Sequence, residues 1–98
     1  MMEGKSKGQN KTRRVTFSLR APRAKEVVLV GDFNHWEAGI HRLERGQDGL
    51  WKATVTLTPG SHEFKFLVDG RWREGSKKEM TVRNSYGTLN NVIFVPEP

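Results

Sequence analysis

A chain of 98 residues and 11.2 kDa is the size of one small domain, which excludes a catalytic barrel or a two-domain cofactor enzyme. It contains no cysteine, so disulfides, thiolate nucleophiles, iron–sulfur clusters and cysteine-based zinc sites are excluded together. The net charge of +6 suggests a polyanion partner only until the charges are located.

In chain order, residues 1–14 carry five basic side chains against Glu3, whereas residues 15–98 carry twelve basic against ten acidic. Most of the excess therefore sits on an N-terminal arm, residues 1–13, rich in Gly, Ser, Asn and Gln. That composition predicts a flexible, solvated segment. The arm is polar and lacks an apolar h-region, so it does not read as a secretory signal, and the expected address is the cytoplasm. Val15, Phe17 and Leu19 then alternate with polar residues, the period of a half-buried strand. Glu26–Val30 is a second, β-branched strand. Its apolar run Val27–Val30, like Val92–Val95 near the C-terminus, is far too short to cross a bilayer, so no membrane partner is expected. Arg42–Arg45 has room for one helical turn at most. Trp51, Ala53, Val55 and Leu57 alternate again, and Thr58-Pro59-Gly60-Ser61 follows as a turn. His62, Phe64, Phe66 and Val68 form the next alternating strand, which places Lys65 on the opposite, solvent-facing side. Asp69-Gly70 is a type I′ hairpin signature with Arg71–Arg73 as its return strand. Glu79–Arg83 and Asn91–Val95 are the last strands expected, and residues 96–98, with two prolines, form a short tail. The result is an all-β domain, an antiparallel β-sandwich of six to eight short strands over residues 14–95.

The nine aromatics divide by position. Phe17, Trp51, Phe64, Phe66 and Phe94 fall at positions read as inward, and Phe33 is expected to tuck beneath the loop after Gly31-Asp32. Trp36, Trp72 and Tyr86 lie in polar or turn contexts with no apolar neighbour in strand register. Exposing such side chains calls for a function. An indole face can cover the C–H face of a sugar while polar groups bind its hydroxyl rim. Lys65, Thr88, Asn90 and Asn91 are candidate rim partners.

Four segments in order carry a family likeness: Gly31-Asp32-Phe33-Asn34-His35-Trp36; Asp48-Gly49-Leu50-Trp51; Pro59 through Trp72; and Tyr86-Gly87-Thr88-Leu89-Asn90-Asn91-Val92. Together they resemble carbohydrate-binding module family 48, the glycogen-binding, isoamylase N-terminal type of domain. The likeness includes its AMP-activated protein kinase β-subunit branch. The resemblance implies an immunoglobulin-like early-set sandwich that binds α-1,4-linked glucan, as glycogen, starch or malto-oligosaccharide. It implies Trp36 and Trp72 as stacking platforms, Lys65 as a hydroxyl-binding lysine, and Thr88 and Asn90 as polar ligands. Tyr86 stands where the kinase branch has a leucine. Relatives often place Asp-Pro after the second tryptophan, where this chain has Arg73-Glu74-Gly75.

No catalysis, cofactor or metal is expected. Asp32 and Glu37 are the one plausible carboxylate pair and read as a turn cap and a solvated charge. His35, His41 and His62 lack ligand spacing, and the glycines read as turn residues. A glucan-binding monomer is the leading reading. A protein-interaction module docking to a glycogen-metabolising enzyme or kinase, its sugar site lapsed, is the alternative. A nucleic-acid partner is disfavoured, because the aromatic strand pattern of single-strand RNA readers is missing.

Overall fold

The computed structural model describes residues 11–73 and 80–97. Among these, nine strands form: β1 (Arg13–Arg20), β2 (Val27–Gly31), β3 (His41–Arg42), β4 (Glu44–Arg45), β5 (Leu50–Leu57), β6 (Gly60–Val68), β7 (Arg71–Arg73), β8 (Thr81–Arg83) and β9 (Leu89–Val95). All pairings are antiparallel. One sheet has the order β1-β5-β4. The other has the order β3-β2-β6-β9-β8, with β7 also paired to β6. The fold is the expected all-β sandwich. Most of the expected arm, and Glu74 to Glu79 of the expected loop and strand after Trp72, lie outside the described residues.

Alternation decides what each sheet buries. In the first sheet Val15 faces Val55, Phe17 faces Ala53 and Leu19 faces Trp51, so one side of the β1–β5 ladder is apolar. Thr16 and Thr54 meet on the other side, their hydroxyls 3.1 Å apart. The second sheet supplies Val27, Leu29, Phe66 and Val95 to the same core. Phe64 meets Phe17 edge to face at 4.9 Å between centroids, a favourable geometry that ties the two layers together. The buried Trp51 indole donates to the Ala21 carbonyl at 2.9 Å, so its own N–H is paired within the core.

The segment around Arg42–Arg45, with room for one helical turn at most, makes none. It crosses between the layers instead, β3 pairing with β2 and β4 with β5, while Leu43 between them is buried in the core. The burial of Leu43 outweighs one exposed helical turn. Phe94 is not a core residue, being 62% exposed. In β9 the inward set is Asn91, Ile93 and Val95, because Asn91 pairs with Phe64 and Ile93 with His62, so Phe94 faces outward by pleat. Asn91 is correspondingly buried on the core side rather than available to a sugar rim.

Gly31 also departs from the turn reading. Its backbone is extended, with φ −163°. What requires glycine there is close approach, since a Cβ would lie 2.6 Å from the Phe33 ring and 2.7 Å from the Glu63 carbonyl oxygen. Gly70 meets its expectation, with φ 82° after Asp69 at 51°, the double positive φ of a type I′ turn. Asp69 further latches the hairpin to the start of β2, its carboxylate accepting from the Lys25 and Glu26 amides at 2.8 Å each.

The Gly31→Ala substitution should destabilise the domain by about 1–3 kcal/mol through overpacking. Urea denaturation should show a lower midpoint at an unchanged m-value.

Candidate functional site

The outward face of the larger sheet is built on β6. Since Phe64 and Phe66 point inward, Glu63, Lys65 and Leu67 point outward. Register places Val30 of β2 beside Lys65, and Trp72 of β7 beside Leu67. Asn90 of β9 joins the same face opposite Val82. Trp36, Glu63, Lys65 and Trp72 line one depression of about 670 Å³. Its remaining wall is the β8–β9 connection with the start of β9, contributing Asn84, Tyr86, Thr88 and Asn90.

Trp36 is held by an uncommon backbone. A short 3₁₀ turn, Asp32–Asn34, follows β2, and both His35 and Trp36 then adopt φ 58°. Two consecutive non-glycine residues in the left-handed region cost on the order of 1 kcal/mol or more each. The surrounding bonds hold them there. Asn34 is buried and accepts from the Gly31 amide at 2.9 Å, which fixes its amide orientation. Its nitrogen therefore donates to the Leu29 carbonyl at 3.0 Å and to His41 Nδ1 at 2.9 Å. The Trp36 amide returns to the Gly31 carbonyl at 2.9 Å. Asp32 anchors the turn to β6, its carboxylate accepting from the Glu63 amide at 2.9 Å and meeting His62 Nδ1 at 3.1 Å. Trp36 is left 39% exposed at the lip of the depression.

Trp72 stands opposite on the I′ hairpin, 55% exposed. Lys65 Nζ lies 5.7 Å from the centroid of its ring, a cation–π contact. Lys65 is on the expected face but, contrary to expectation, is only 7% exposed. The walls of the depression rise around it, and its ammonium donates to Thr88 Oγ1 at 2.8 Å.

Asn84 organises the third wall. Its side-chain oxygen accepts from the Tyr86 amide at 2.9 Å and the Thr88 amide at 3.1 Å. Its nitrogen donates to Thr88 Oγ1 at 2.8 Å and to Asn90 Oδ1 at 2.9 Å. Asn90 in turn donates to Glu63 Oε1 at 3.0 Å. Tyr86 projects from this loop, 90% exposed.

The donor inventory gives the site its chemistry. Thr88 Oγ1 accepts two bonds, from Lys65 and Asn84, which leaves its own O–H as a further donor among the described residues. Lys65 has one hydrogen-bond partner among the described residues and further N–H groups to offer. Among the described residues, Asn90 retains one amide hydrogen and Glu63 one carboxylate oxygen. Two aromatic faces thus flank a floor of donors and one acceptor, suited to a ligand with an apolar face and a hydroxylated edge. Of the seven residues singled out from the sequence, Trp36, Lys65, Trp72, Tyr86, Thr88 and Asn90 line this depression, and Asn91 does not. Asn84 and Glu63 were missed. An Asn opening a turn, two residues before Tyr86 and four before Thr88, was a readable signal for the first. The two-residue offset from Lys65 was one for the second. The histidines lie apart from one another in role: His35 is exposed, His41 faces Asn34, and His62 bridges Asp32 and the Thr58 carbonyl.

Comparison with known proteins gives the following. Residues 14–98 match the family model described as the glycogen recognition site of AMP-activated protein kinase. The chain is 38% identical over 71 residues to the 5′-AMP-activated protein kinase subunit beta-2 of Mus musculus, covering 72% of this chain and 25% of that protein. It is 34% identical over 82 residues to Protein FLOURY ENDOSPERM 6, chloroplastic, of Oryza sativa subsp. japonica, covering 84% of this chain and 15% of that protein. It is 35% identical over 94 residues to Phosphoglucan phosphatase LSF1, chloroplastic, of Arabidopsis thaliana, covering 95% and 15% respectively. The chain therefore spans 15–25% of the length of these relatives. The cytoplasmic address expected from the polar N-terminus is overturned by the two chloroplastic proteins among them. The sandwich has the same physical chemistry in either compartment, so its residues carry no address.

The Asn84→Ala substitution should raise hydrogen exchange at the Tyr86 and Thr88 amides by an order of magnitude or more while β1 and β5 keep their protection. Amide exchange followed residue by residue checks this.

Proposed function

The chain belongs to the carbohydrate-binding family described as the glycogen recognition site of AMP-activated protein kinase, and on that premise we propose that it binds α-1,4-linked glucan, without catalysis, in the depression between Trp36 and Trp72. The observation that carries this reading is the placing of both exposed indoles on one face, with Lys65, Thr88 and Asn90 between them. Sugar C–H faces stack on the two rings. Lys65, the Thr88 hydroxyl and the Asn90 amide donate to hydroxyl oxygens, and the free oxygen of Glu63 accepts from one. Tyr86 adds an aromatic wall from the β8–β9 connection.

Magnitudes favour a polymer over a single sugar. Covering one indole face removes roughly 100 Å² of apolar surface, about 2–3 kcal/mol. Two faces contribute about 5 kcal/mol, and each partly exposed hydrogen bond adds about 0.5–1.5 kcal/mol. Association and ordering cost at least ~4 kcal/mol. The surplus corresponds to a dissociation constant on the order of 10 μM to 1 mM. A polysaccharide with many repeated units makes such a contact useful through rebinding and tethering. A monosaccharide fills one platform and binds more weakly still.

The Trp36→Ala and Trp72→Ala variants should each lose retention in a native gel containing glycogen, with unchanged thermal midpoints. Wild-type retention should hardly change between low and physiological salt, because stacking releases no counterions, whereas binding to a polyanion would fall steeply. Full retention by both variants would remove the platform reading.

A further inference from the structure

Of the nine aromatic side chains, five are buried or half-buried: Phe17, Phe33, Trp51, Phe64 and Phe66. Three more line the depression. Phe94 belongs to neither group, yet it is more exposed than either tryptophan of the depression. Burial in the core does not account for it, and its phenyl face is an apolar surface that a ligand crossing this sheet could cover.

Its position says which ligand. In β9 the outward set is Asn90, Val92 and Phe94, so Phe94 lies on the same face as the depression. It is four residues along the strand from Asn90, about 13 Å at the strand rise. Val92, half-buried, bridges the interval and pairs with Glu63, which is itself a wall of the depression. Phe94 pairs with Ser61, whose side chain is exposed on the same face. The ring is thus flanked by a hydroxyl at its own level and by the Glu63 carboxylate two residues along β6. An aromatic ring with hydrogen-bonding groups at its edge repeats, in smaller form, the chemistry of the depression. It is reached from there across a continuous outward face.

We propose that Phe94, with Ser61 and Glu63, forms an accessory subsite that takes the same glucan chain where it runs past Asn90, so that the domain grips long chains more tightly than short ones. This rests on the glucan reading of the Trp36–Trp72 depression. Phenylalanine has no polar edge of its own and a smaller face than indole, so the subsite adds to binding but does not sustain it alone. Its contribution appears as length dependence. A trisaccharide occupies the depression and does not reach Phe94, whereas a heptasaccharide or glycogen engages both.

The test is a titration of the full 98-residue chain with maltotriose, maltoheptaose and glycogen, wild type against Phe94→Ser and Phe94→Tyr. Amide shifts on the wild type come first. Maltoheptaose should perturb Ser61 and Phe94, and maltotriose should leave them unmoved. Phe94→Ser should weaken maltoheptaose and glycogen binding by about three- to tenfold and leave maltotriose binding within about twofold, with Phe94→Tyr restoring the long-chain affinity. Equal affinities of wild type and Phe94→Ser for all three ligands, alongside normal wild-type binding, would overturn the accessory subsite alone. A Phe94→Ser effect confined to the sedimentation behaviour of the free protein would also overturn it, assigning the ring to self-association. Absence of wild-type binding to any of the three would remove the glucan reading itself, and the subsite with it.

Discussion

The two-residue period of β6 is the constraint from which both halves of the molecule follow. One side of this strand, Phe64 and Phe66, joins the layers of the sandwich, and the other, Glu63 and Lys65, floors the depression. A pleated strand cannot shift one set without shifting the other. Burial of the two phenyl rings, each worth about 1.5–3 kcal/mol, therefore fixes the height and spacing of the polar pair opposite. The core acts as the rigid support of the site, and Thr88 and the Trp72 ring then hold the end of the Lys65 side chain.

The parts that β6 does not supply are delivered by turns, and each turn is tied back to it or to its neighbour. Asp32 holds the Trp36 loop against the Glu63 amide. Asp69 holds the Trp72 hairpin against Lys25 and Glu26 at the start of β2. Asn84 folds the third wall onto Thr88 and Asn90. In each case a short carboxylate or amide side chain captures backbone amides or their close neighbours, the chemistry for which Asp and Asn suit turns. Preorganisation matters here because the expected binding energy is small. Ordering three loops on contact would cost as much as two stacked rings supply.

Alternation and turn signatures made most of this fold legible before any coordinates. The inward sets of β1, β5 and β6 and the Asp69-Gly70 hairpin could be read directly, because strict period two and a double positive φ have few other solutions. Phe94 was misplaced because β9 contains the run Asn90-Asn91-Val92-Ile93-Phe94. Consecutive apolar residues carry no phase, and only pairing with β6 supplies it. The β3–β4 crossing was illegible for a similar reason, two-residue strands being too short to show a period. Gly31 looked like a turn because a sequence does not reveal what a Cβ would strike. The burial of Lys65 was hidden because its face was readable but the height of the surrounding walls was not.

Backbone strain at His35 and Trp36 bears on what the Trp36 loop is for. A loop selected only to connect β2 to β3 would relax a left-handed pair by placing glycine or asparagine there, at little cost to the sheets. Here a tryptophan occupies the strained position, and a buried asparagine with three hydrogen bonds secures the turn before it. Glycine at that position would remove the indole from the lip of the depression, and a relaxed φ would redirect it. The conformation is therefore coupled to the presentation of one ring. That coupling favours a role for Trp36 at the surface over one as an edge-packing residue, since an edge ring could be supplied from an unstrained strand position.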